Sequence, residues 1–436
     1  MKAHSLFLGL NLSSCLYGVF AMPPAPDSLW AVSPPLDYDD PIYAGWKQIP
    51  IVKEIQVYNG IANNRTYAHH PELFAVGSNV YLIFSSAPVD EDSMGQDVWI
   101  STSNDGGLTW SRSESLLPAA ILPNQTDNLQ DYTYWCSRGI AQRAWQGLTF
   151  VHLDDGELYA IGQSGSRWCP GSYRTAGRIA HQISLKGKPI GDPCWIEKNE
   201  YTSSELYNET IYGTKYGMRG CKRACDINKV LRQPDKAPAW SPWLYNHILD
   251  AADGVHSMQE NTFAVWFHDS DSPTGGYWQR HWRDISSGTS NTHNVWVEYN
   301  EDPNGNGWYP KRMSQLGNNI YQTTIPDAGT KQFLWKIYNG NRYLISNPRY
   351  TTLLQRQPLT LATSVGRDQR YTSVGVLRTN ATTNIVPDTR GVKAHAFGFS
   401  YPTAVQVGNK LIAAYSENKE NIWVSVVNVE DLPLHQ

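Results

Sequence analysis

The stretch PELFAVGSNVYLIFS at residues 71–85 has the pattern of two β-strands joined by a tight turn. Small polar turn residues follow Val76, and the second half is rich in the Val, Tyr and Ile that favour strands. The same pattern returns at residues 148–162, 333–346 and 403–416, with a degenerate copy at 259–268. A third strand follows some copies, as at residues 97–103 and 359–364. Repeats of this kind are typical of a β-propeller, in which each blade buries its faces against its neighbours.

Chain length sets the expected number of blades. One blade repeat takes roughly 40–50 residues, and the chain has 436. We therefore predict an all-β, seven-bladed β-propeller, with a six-bladed ring as the alternative and a two-sheet β-sandwich as the rival fold. A strand within Ile49–Tyr58 is expected to close the ring by joining the last blade.

A turn motif at residues 101–110 supports the propeller. Its sequence, STSNDGGLTW, matches the Asp-box pattern Ser-x-Asp-x-Gly-x-Thr-Trp with one extra residue before the Asp. In such a hairpin the side chains of Asp105 and Thr109 satisfy turn amides, glycine permits positive φ, and Trp110 packs under the turn. We interpret Asp105 as a structural residue and not as a catalytic carboxylate.

Composition restricts the partners. The formal net charge is −4 and 12% of the residues are aromatic, including 17 Trp and 25 Tyr. This balance offers no broad basic surface for nucleic acid or an anionic membrane, whereas aromatic rings suit sugar faces. The apolar segment after Lys2, with Val19 and Ala21 at the positions that a signal peptidase inspects, predicts a signal peptide at residues 1–21. We expect a secreted, monomeric protein whose residues 22–436 form one propeller domain.

Cysteines and sequons agree with an extracellular location. Five cysteines follow the predicted signal, so one thiol stays free, and Cys221 with Cys225 would close a tight local loop. A metal site is the rival interpretation of these cysteines. Glycosylation sequons begin at the four residues Asn64, Asn124, Asn208 and Asn380.

Adjacent histidines at the start of the first repeated strand are the strongest catalytic candidates. Because neighbouring strand residues point to opposite faces, only one of His69 and His70 is expected to face the central funnel. In the next repeat Tyr134 is a candidate acid or base, and Arg138 and Arg143 are candidate clamps for a carboxylate. The alternative is that these residues pack between blades.

Further candidates lie in a second basic and aromatic cluster. The stretches at residues 267–269 and 279–284 interleave basic and aromatic groups as an anionic sugar site would, with His268 and Arg280 as the candidate contacts. The equal alternative is that Arg283 and Asp284 form a surface ion pair of little consequence. The acidic run Asp90-Glu-Asp92 is either a functional rim or an ordinary solvated loop.

The segment from His69 to Trp110 resembles a known group of enzymes, and so do the stretches at residues 343–348, 358–364 and 401–425. They are similar to secreted propeller enzymes of the L-rhamnose-α-1,4-D-glucuronate lyase type and to related propeller rhamnosidases. The resemblance implies a seven-bladed propeller, an imidazole that moves the proton, and cationic groups that neutralise the substrate carboxylate. It places the catalytic role at His69-His70 and includes Gln96 among the expected substrate contacts. No second histidine occurs in the following loop, where related uronate lyases use one.

The expected function is β-elimination from a glucuronate- and rhamnose-containing polysaccharide or oligosaccharide. The C5 proton needs a base of pKa near neutrality and a guanidinium that stabilises the enolate. The chemistry requires no cofactor, although a structural Ca²⁺ would suit converging carbonyl oxygens.

Two other functions compete with β-elimination. The first is an exo-acting hydrolase, with two carboxylates drawn from Glu72, Asp92, Glu260, Asp269 and Asp327. The second is a sugar-binding propeller without catalysis. Sialidases, which need an arginine triad and a Tyr–Glu pair, are disfavoured because the chain has no Phe/Tyr-Arg-Ile-Pro stretch.

Overall fold

The protein is described from a computed structural model. The structure describes residues 28–34, 37, 40, 45–91, 96–117, 144–166, 174–198, 220–236, 249–250, 255–268, 273–286, 293–306, 320–337, 340–349, 356–364, 370–382 and 397–433. Within these ranges the strands form five antiparallel sheets, which are the blades of a β-propeller.

The first, second and fourth blades each contain four strands in sequence order. The first blade is formed by Tyr67–Val76 (β2), Asn79–Ala87 (β3), Asp97–Ser103 (β4) and Glu114–Leu117 (β5). The second is formed by Ala144–His152 (β6), Leu158–Ser166 (β7), Arg174–Ile183 (β8) and Cys194–Lys198 (β9). The fourth is formed by Phe333–Lys336 (β16), Arg342–Ser346 (β17), Leu359–Ser364 (β18) and Ser373–Arg378 (β19).

The third blade is larger and contains six strands. These are Leu249–Asp250 (β10), Ser257–Asn261 (β11), Val265–His268 (β12), Gly276–Asp284 (β13), Asn294–Asn300 (β14) and Ile320–Pro326 (β15). Both β11 and β12 pair with β13, one after the other, so together they act as one interrupted inner strand.

An N-terminal strand closes the ring. The fifth blade takes three strands from the C-terminal region, Phe399–Val407 (β20), Lys410–Glu417 (β21) and Asn421–Asn428 (β22). Its fourth strand is Lys53–Asn59 (β1), which pairs antiparallel with β22. The predicted closure by residues 49–58 is therefore confirmed, and it joins the two ends of the propeller by backbone hydrogen bonds.

The predicted number of blades is wrong. The five repeats seen in the sequence are the inner hairpins of the five blades, and no further blade stands between them in the described ranges. Dividing chain length by the usual repeat length overestimated the number, because long connections and the extra strands of the third blade use up residues. The observed five-bladed ring replaces both the seven- and the six-bladed expectation.

Hydrophobic layers between blades hold the described part of the ring together. Ile83 and Phe150 lie in the layer between the first two blades, and Phe84 and Ile412 in the layer between the first and the last. Similar layers join the third blade to the fourth and the fourth to the fifth. Each sheet is buried on both faces, so successive strand residues are apolar. The strands therefore appear in the sequence as almost continuous hydrophobic runs.

One helix, Ala224–Leu231 (α1), packs on the second blade through Ile227 and Leu231. The preceding Cys221 forms a disulfide with Cys194 of β9, and Cys225 is an exposed free thiol. The expected local loop between Cys221 and Cys225 is therefore wrong, because Cys221 is paired across to the sheet. No helix in the described ranges is long and apolar enough to cross a bilayer.

The turn at residues 103–110 is held as its sequence predicts. The Asp105 carboxylate accepts hydrogen bonds from Ser103 Oγ, from the Leu108 and Thr109 amides and from Thr109 Oγ1. These bonds lower the pKa of Asp105 to about 2, although the little burial it has acts in the opposite direction. Asp105 is an exposed residue that stabilises the turn between β4 and β5, consistent with a structural role.

Candidate functional site

Three inner strands carry a β-bulge near their start, and each bulge delivers one side chain to a shared cluster. The pairing register shifts after His69 in β2, after Gln259 in β11 and after Ser400 in β20. Each bulge holds one residue in the left-handed region, with φ of 54° at His70, 57° at Glu260 and 55° at Tyr401. A non-glycine residue in this region costs on the order of 1–3 kcal/mol, and such strain clusters at functional sites.

Both imidazoles reach this cluster. The ring centroid of His69 lies 4.1 Å from that of Tyr401, and the His70 centroid lies 5.0 Å from it. The prediction that only one of the two histidines faces the funnel is wrong. It assumed a regular strand, and the bulge at His70 breaks the alternation of side chains.

The centre of the cluster is a hydrogen-bonded triad. Tyr401 Oη donates to Glu260 Oε2 at 2.6 Å, and Arg283 Nη1 donates to the same carboxylate oxygen at 2.7 Å. Arg283 Nη1 also lies 2.9 Å from Tyr401 Oη. Arg283 therefore does not form the predicted surface ion pair with Asp284, whose side chain is buried and bonded to Ser286.

Electrostatics fix the protonation states of this triad. Burial would raise the pKa of Glu260, but the Arg283 charge and the Tyr401 hydrogen bond outweigh it and lower that pKa. Burial and the neighbouring carboxylate raise the pKa of Tyr401 far above its usual value. At neutral pH the triad therefore contains a carboxylate, a guanidinium and a neutral phenol whose proton points at the carboxylate.

Arg356 adds a second cation beside the phenol. Its guanidinium carbon lies 5.5 Å from the centroid of the Tyr401 ring, and Nη1 donates to Ser400 Oγ at 3.2 Å. The residue is only 2% exposed, its Nε has no hydrogen-bond partner, and no described carboxylate pairs with it. Burial lowers its pKa. A buried guanidinium that makes no ion pair with a described residue is a natural position for an anionic ligand, although the charges of Glu91 and Glu260 act on it.

The imidazoles line another side of the cluster. His70 Nε2 lies 3.8 Å from Glu91 Oε1, and Lys419 Nζ donates to Glu91 Oε2 at 2.7 Å. Burial lowers the pKa of His70 to about 3, against the opposing charge of Glu91. His69 is fully buried, neither of its ring nitrogens has a partner, and burial holds its pKa well below the usual value. Both rings are therefore neutral at neutral pH in the free protein.

The cluster contains both cations and carboxylates. Arg283 is paired with Glu260 and Lys419 with Glu91, whereas Arg356 makes no ion pair with a described residue. The charges of Glu91 and Glu260 nevertheless act on Arg356, and that of Asp327 acts on Arg283. Some of these side chains keep contact with solvent, since Arg283 is 14% exposed and Glu91 and Lys419 are each 11% exposed.

The other candidate residues from the sequence analysis do not belong to this cluster. His268 is exposed at the end of β12, and Arg280 is buried and donates from Nε to Glu298 Oε2 at 2.6 Å. Gln96 is buried directly before β4. Asn64 and Asn380 are exposed in left-handed turns, where an attached glycan would have space. Seven candidates lie outside the described residues: Asp92, Asn124, Tyr134, Arg138, Arg143, Asn208 and Asp269.

Sequence reasoning assigned no role to Tyr401, and it left Arg283 open between an anionic sugar site and a surface ion pair. A signal was available, because His70-Pro71 and Tyr401-Pro402 occupy equivalent positions in the first and last hairpins. Glu260 had appeared only among several carboxylates of a hypothetical hydrolase. Only the fold brings these residues from three blades to one point.

The described residues form no candidate metal site. Among the described residues no three His, Cys, Asp or Glu side chains are grouped closely enough to hold an ion. The structural Ca²⁺ remains an untested prediction.

Comparison with known proteins agrees with the fold. A family model described as a BT_1020-like N-terminal beta propeller matches residues 45–240. A solved chain named sialidase is 18% identical with a TM-score of 0.63, and the match covers 92% of this chain and 35% of that one. The chain thus spans about a third of that sialidase. No curated protein matches the sequence.

Two further solved structures match at lower similarity. The sialidase of Trypanosoma rangeli is 10% identical with a TM-score of 0.45, covering 84% of this chain and 55% of its own. The intramolecular trans-sialidase of Ruminococcus gnavus is 9% identical with a TM-score of 0.45, covering 89% of this chain and 99% of its own. The five sheets and the match with a TM-score of 0.63 identify the fold as a β-propeller.

Proposed function

We propose that the protein is a glycoside hydrolase in which Tyr401 is the nucleophile and Glu260 is its base. The observation that carries this proposal is the 2.6 Å hydrogen bond from Tyr401 Oη to Glu260 Oε2, with Arg283 bound to both groups. A nucleophile bonded to a base that a third group orients is the general arrangement of covalent catalysis. A tyrosine nucleophile is a known exception among glycosidases that otherwise use two carboxylates.

The substrate class follows from the position of the positive charge. Arg283 Nη1 lies 2.9 Å from the proposed nucleophilic oxygen, and Arg356 lies against the face of the same ring. A carboxylate held by these cations would be next to the carbon that Tyr401 attacks. We therefore propose a glycoside of a sugar acid whose anomeric carbon bears the carboxylate. Structurally similar chains are named sialidases, and a sialic acid is a sugar acid of this kind.

A neutral nucleophile suits such a substrate. An ionised Asp or Glu would be repelled by a carboxylate on the attacked carbon, whereas the phenol carries no charge until Glu260 takes its proton. As the Tyr401 oxygen bonds to the anomeric carbon, the bond to the leaving oxygen breaks and that oxygen takes a proton from a general acid. Water then displaces Tyr401 and gives one proton back to that acid, while Glu260 returns its proton to the phenol, so configuration is retained.

The imidazole side of the cluster is our candidate for the leaving-group proton. His70 lies 3.8 Å from Glu91, which supports its charged form, and a bound carboxylate adds a further negative charge nearby. Because burial lowers the pKa of free His70 to about 3, the proton is available mainly in acid. We expect kcat/KM to fall as the pH rises from 4 toward 7.

β-Elimination, the function that the sequence analysis favoured, is the second candidate. The unpartnered ring nitrogens of buried His69 favour it by position, because a neutral imidazole beside Arg356 could accept the C5 proton of a bound uronate. Burial lowers the pKa of His69, however, which weakens it as a base. The two reactions leave different products. Elimination creates a C4=C5 double bond that absorbs in the ultraviolet, and hydrolysis does not.

The proposal is tested by trapping the covalent intermediate. A 3-fluoro glycosyl fluoride of a 2-keto-3-deoxy sugar acid should add one sugar mass to the peptide that contains Tyr401. Tyr401→Phe should abolish both the adduct and the release of methylumbelliferone from the matching glycoside. Tyr415→Phe is the matched control, because Tyr415 is also buried and accepts a hydrogen bond from an arginine, Arg378, at 2.8 Å.

Three results would contradict the proposal. These are turnover without an adduct, full activity of Tyr401→Phe, and ultraviolet-absorbing products from a glucuronate oligosaccharide together with loss of activity in His69→Ala. The last result would establish the lyase instead.

A further inference from the structure

A cavity lies toward the end of the inner strands that is opposite the candidate catalytic cluster. It has a volume of about 710 Å³ and is lined by residues of all five blades. Leu73 and Val405 line it, and they follow His70 and Tyr401 on the same strands by three and four residues. At about 3.3 Å per residue these positions are roughly 10–13 Å from the candidate catalytic cluster.

A buried ion pair lies between the two places. Lys331 Nζ donates to Glu72 Oε1 at 2.7 Å, which links the first blade to the segment that enters the fourth. Glu72 stands between His70 and Leu73 in the chain, so this link crosses the ring between the catalytic cluster and the cavity. None of the residues of the cluster at Tyr401 lines the cavity.

Aromatic rings form two walls of the cavity. On one side Phe74 and Phe150 stack with centroids 5.6 Å apart and an angle of 22° between planes. On the other side Phe333 and Trp335 stack at 6.4 Å and 28°, with Phe263 edge-on to both. Blades one and two carry the first wall, and blades three and four carry the second. Two such walls suit a flat ring inserted between them.

Basic side chains stand at the margin of the aromatic walls. Lys336 is exposed at the end of β16, next to Trp335. Lys236 also lines the cavity, and its Nζ lies 3.4 Å from the carboxylate of neighbouring Asp235. Two lysines against one aspartate leave a positive charge over an apolar interior.

We propose that this cavity is a binding site for a small planar aromatic carboxylate, with its rings between the two aromatic walls and its anionic group at Lys336 and Lys236. The volume falls within the range of roughly 300–1,000 Å³ that is usual for small-ligand pockets. His268, a sequence candidate for sugar binding, lines this cavity, whereas none of the residues of the cluster at Tyr401 does. The site is therefore independent of the proposed hydrolysis.

The test uses 2-naphthoate as the probe, titrated into the full chain by calorimetry. We expect one saturable site. Trp335→Ala and Lys336→Glu should each weaken binding about tenfold, which corresponds to about 1.4 kcal/mol. Lys186→Glu is the charge-matched control, since Lys186 is exposed on the second blade and does not line the cavity. Tyr401→Phe should bind the probe normally, which separates this proposal from the proposed catalysis.

Four results would contradict all or part of this proposal. Equal affinity for neutral 2-naphthylmethanol would overturn the anionic part of the proposal, and tighter binding of decanoate would overturn the planar part. Absence of saturable binding, or unchanged binding in Trp335→Ala with a native unfolding transition, would overturn the site as a whole.

Discussion

Replacing one member of the buried Glu72–Lys331 pair should destabilise the propeller far more than replacing both members. The two side chains are 3% and 4% exposed and are joined at 2.7 Å. Burial raises the pKa of Glu72 even though Lys331 opposes the rise. Desolvation therefore exceeds the attraction between the partners, and the pair is not expected to stabilise the fold relative to apolar residues of similar size.

The single and double replacements differ in what they leave behind. Lys331→Met leaves a buried carboxylate and Glu72→Met leaves a buried ammonium, and each should lower the free energy of unfolding by about 3–5 kcal/mol. The double variant leaves no charge, so it should lie within about 1 kcal/mol of the wild type or above it. With an unfolding entropy of about 0.9 kcal/mol/K for 436 residues, a single replacement lowers Tm by roughly 3–6 °C.

The pH dependence adds a second check. A raised pKa in the folded state means that protonation of Glu72 stabilises the fold at low pH, and that this stabilisation is lost as the pH rises. Lys331→Met should therefore recover much of its loss between pH 7 and pH 5, because its orphaned carboxyl can take a proton. Glu72→Met has no such group and should recover nothing by this route.

Urea unfolding followed by tryptophan fluorescence measures all four proteins. Lys188→Met is the surface control, because Lys188 pairs with Glu114 at 2.8 Å while both side chains are more than half exposed. It should change stability by less than about 1 kcal/mol. The reasoning fails if the single replacements are as mild as this control, or if the double variant loses the sum of the two single losses.

Three further predictions concern the catalytic cluster, a buried acid and the disulfide. Glu260→Gln should lower kcat/KM for the fluorogenic glycoside about 10²–10⁴-fold by removing the base; unchanged kinetics would exclude Glu260. Burial raises the pKa of Asp327 to about 6, so its stabilising protonation is complete below about pH 4 and is lost as the pH passes 6. Wild type should lose about 2.4 kcal/mol relative to Asp327→Asn between pH 4 and 7; parallel pH curves would refute this. Cys221→Ser opens a loop with a sequence separation of 27 and should cost about 3.5 kcal/mol in chemical unfolding; a change below 1 kcal/mol would contradict the tethering of α1.

The sequence by itself determined the type of fold and its closure. Alternating apolar residues and turn residues are local, so the five hairpins, the turn at Asp105 and the closing strand could all be located without a structure. The same local information could not fix the number of blades. Blade number depends on how the connections between hairpins are used, and chain length does not record that.

Only the tertiary structure decided the candidate site. His69 and His70 were visible as a pair, but the bulge that turns both toward Tyr401 changes the alternation on which the prediction rested. Glu260, Arg283 and Tyr401 lie up to 141 residues apart along the chain, and their contacts exist only once the third and fifth blades share a ring. Secondary structure follows from neighbours in sequence, whereas charge pairing and burial depend on neighbours in space.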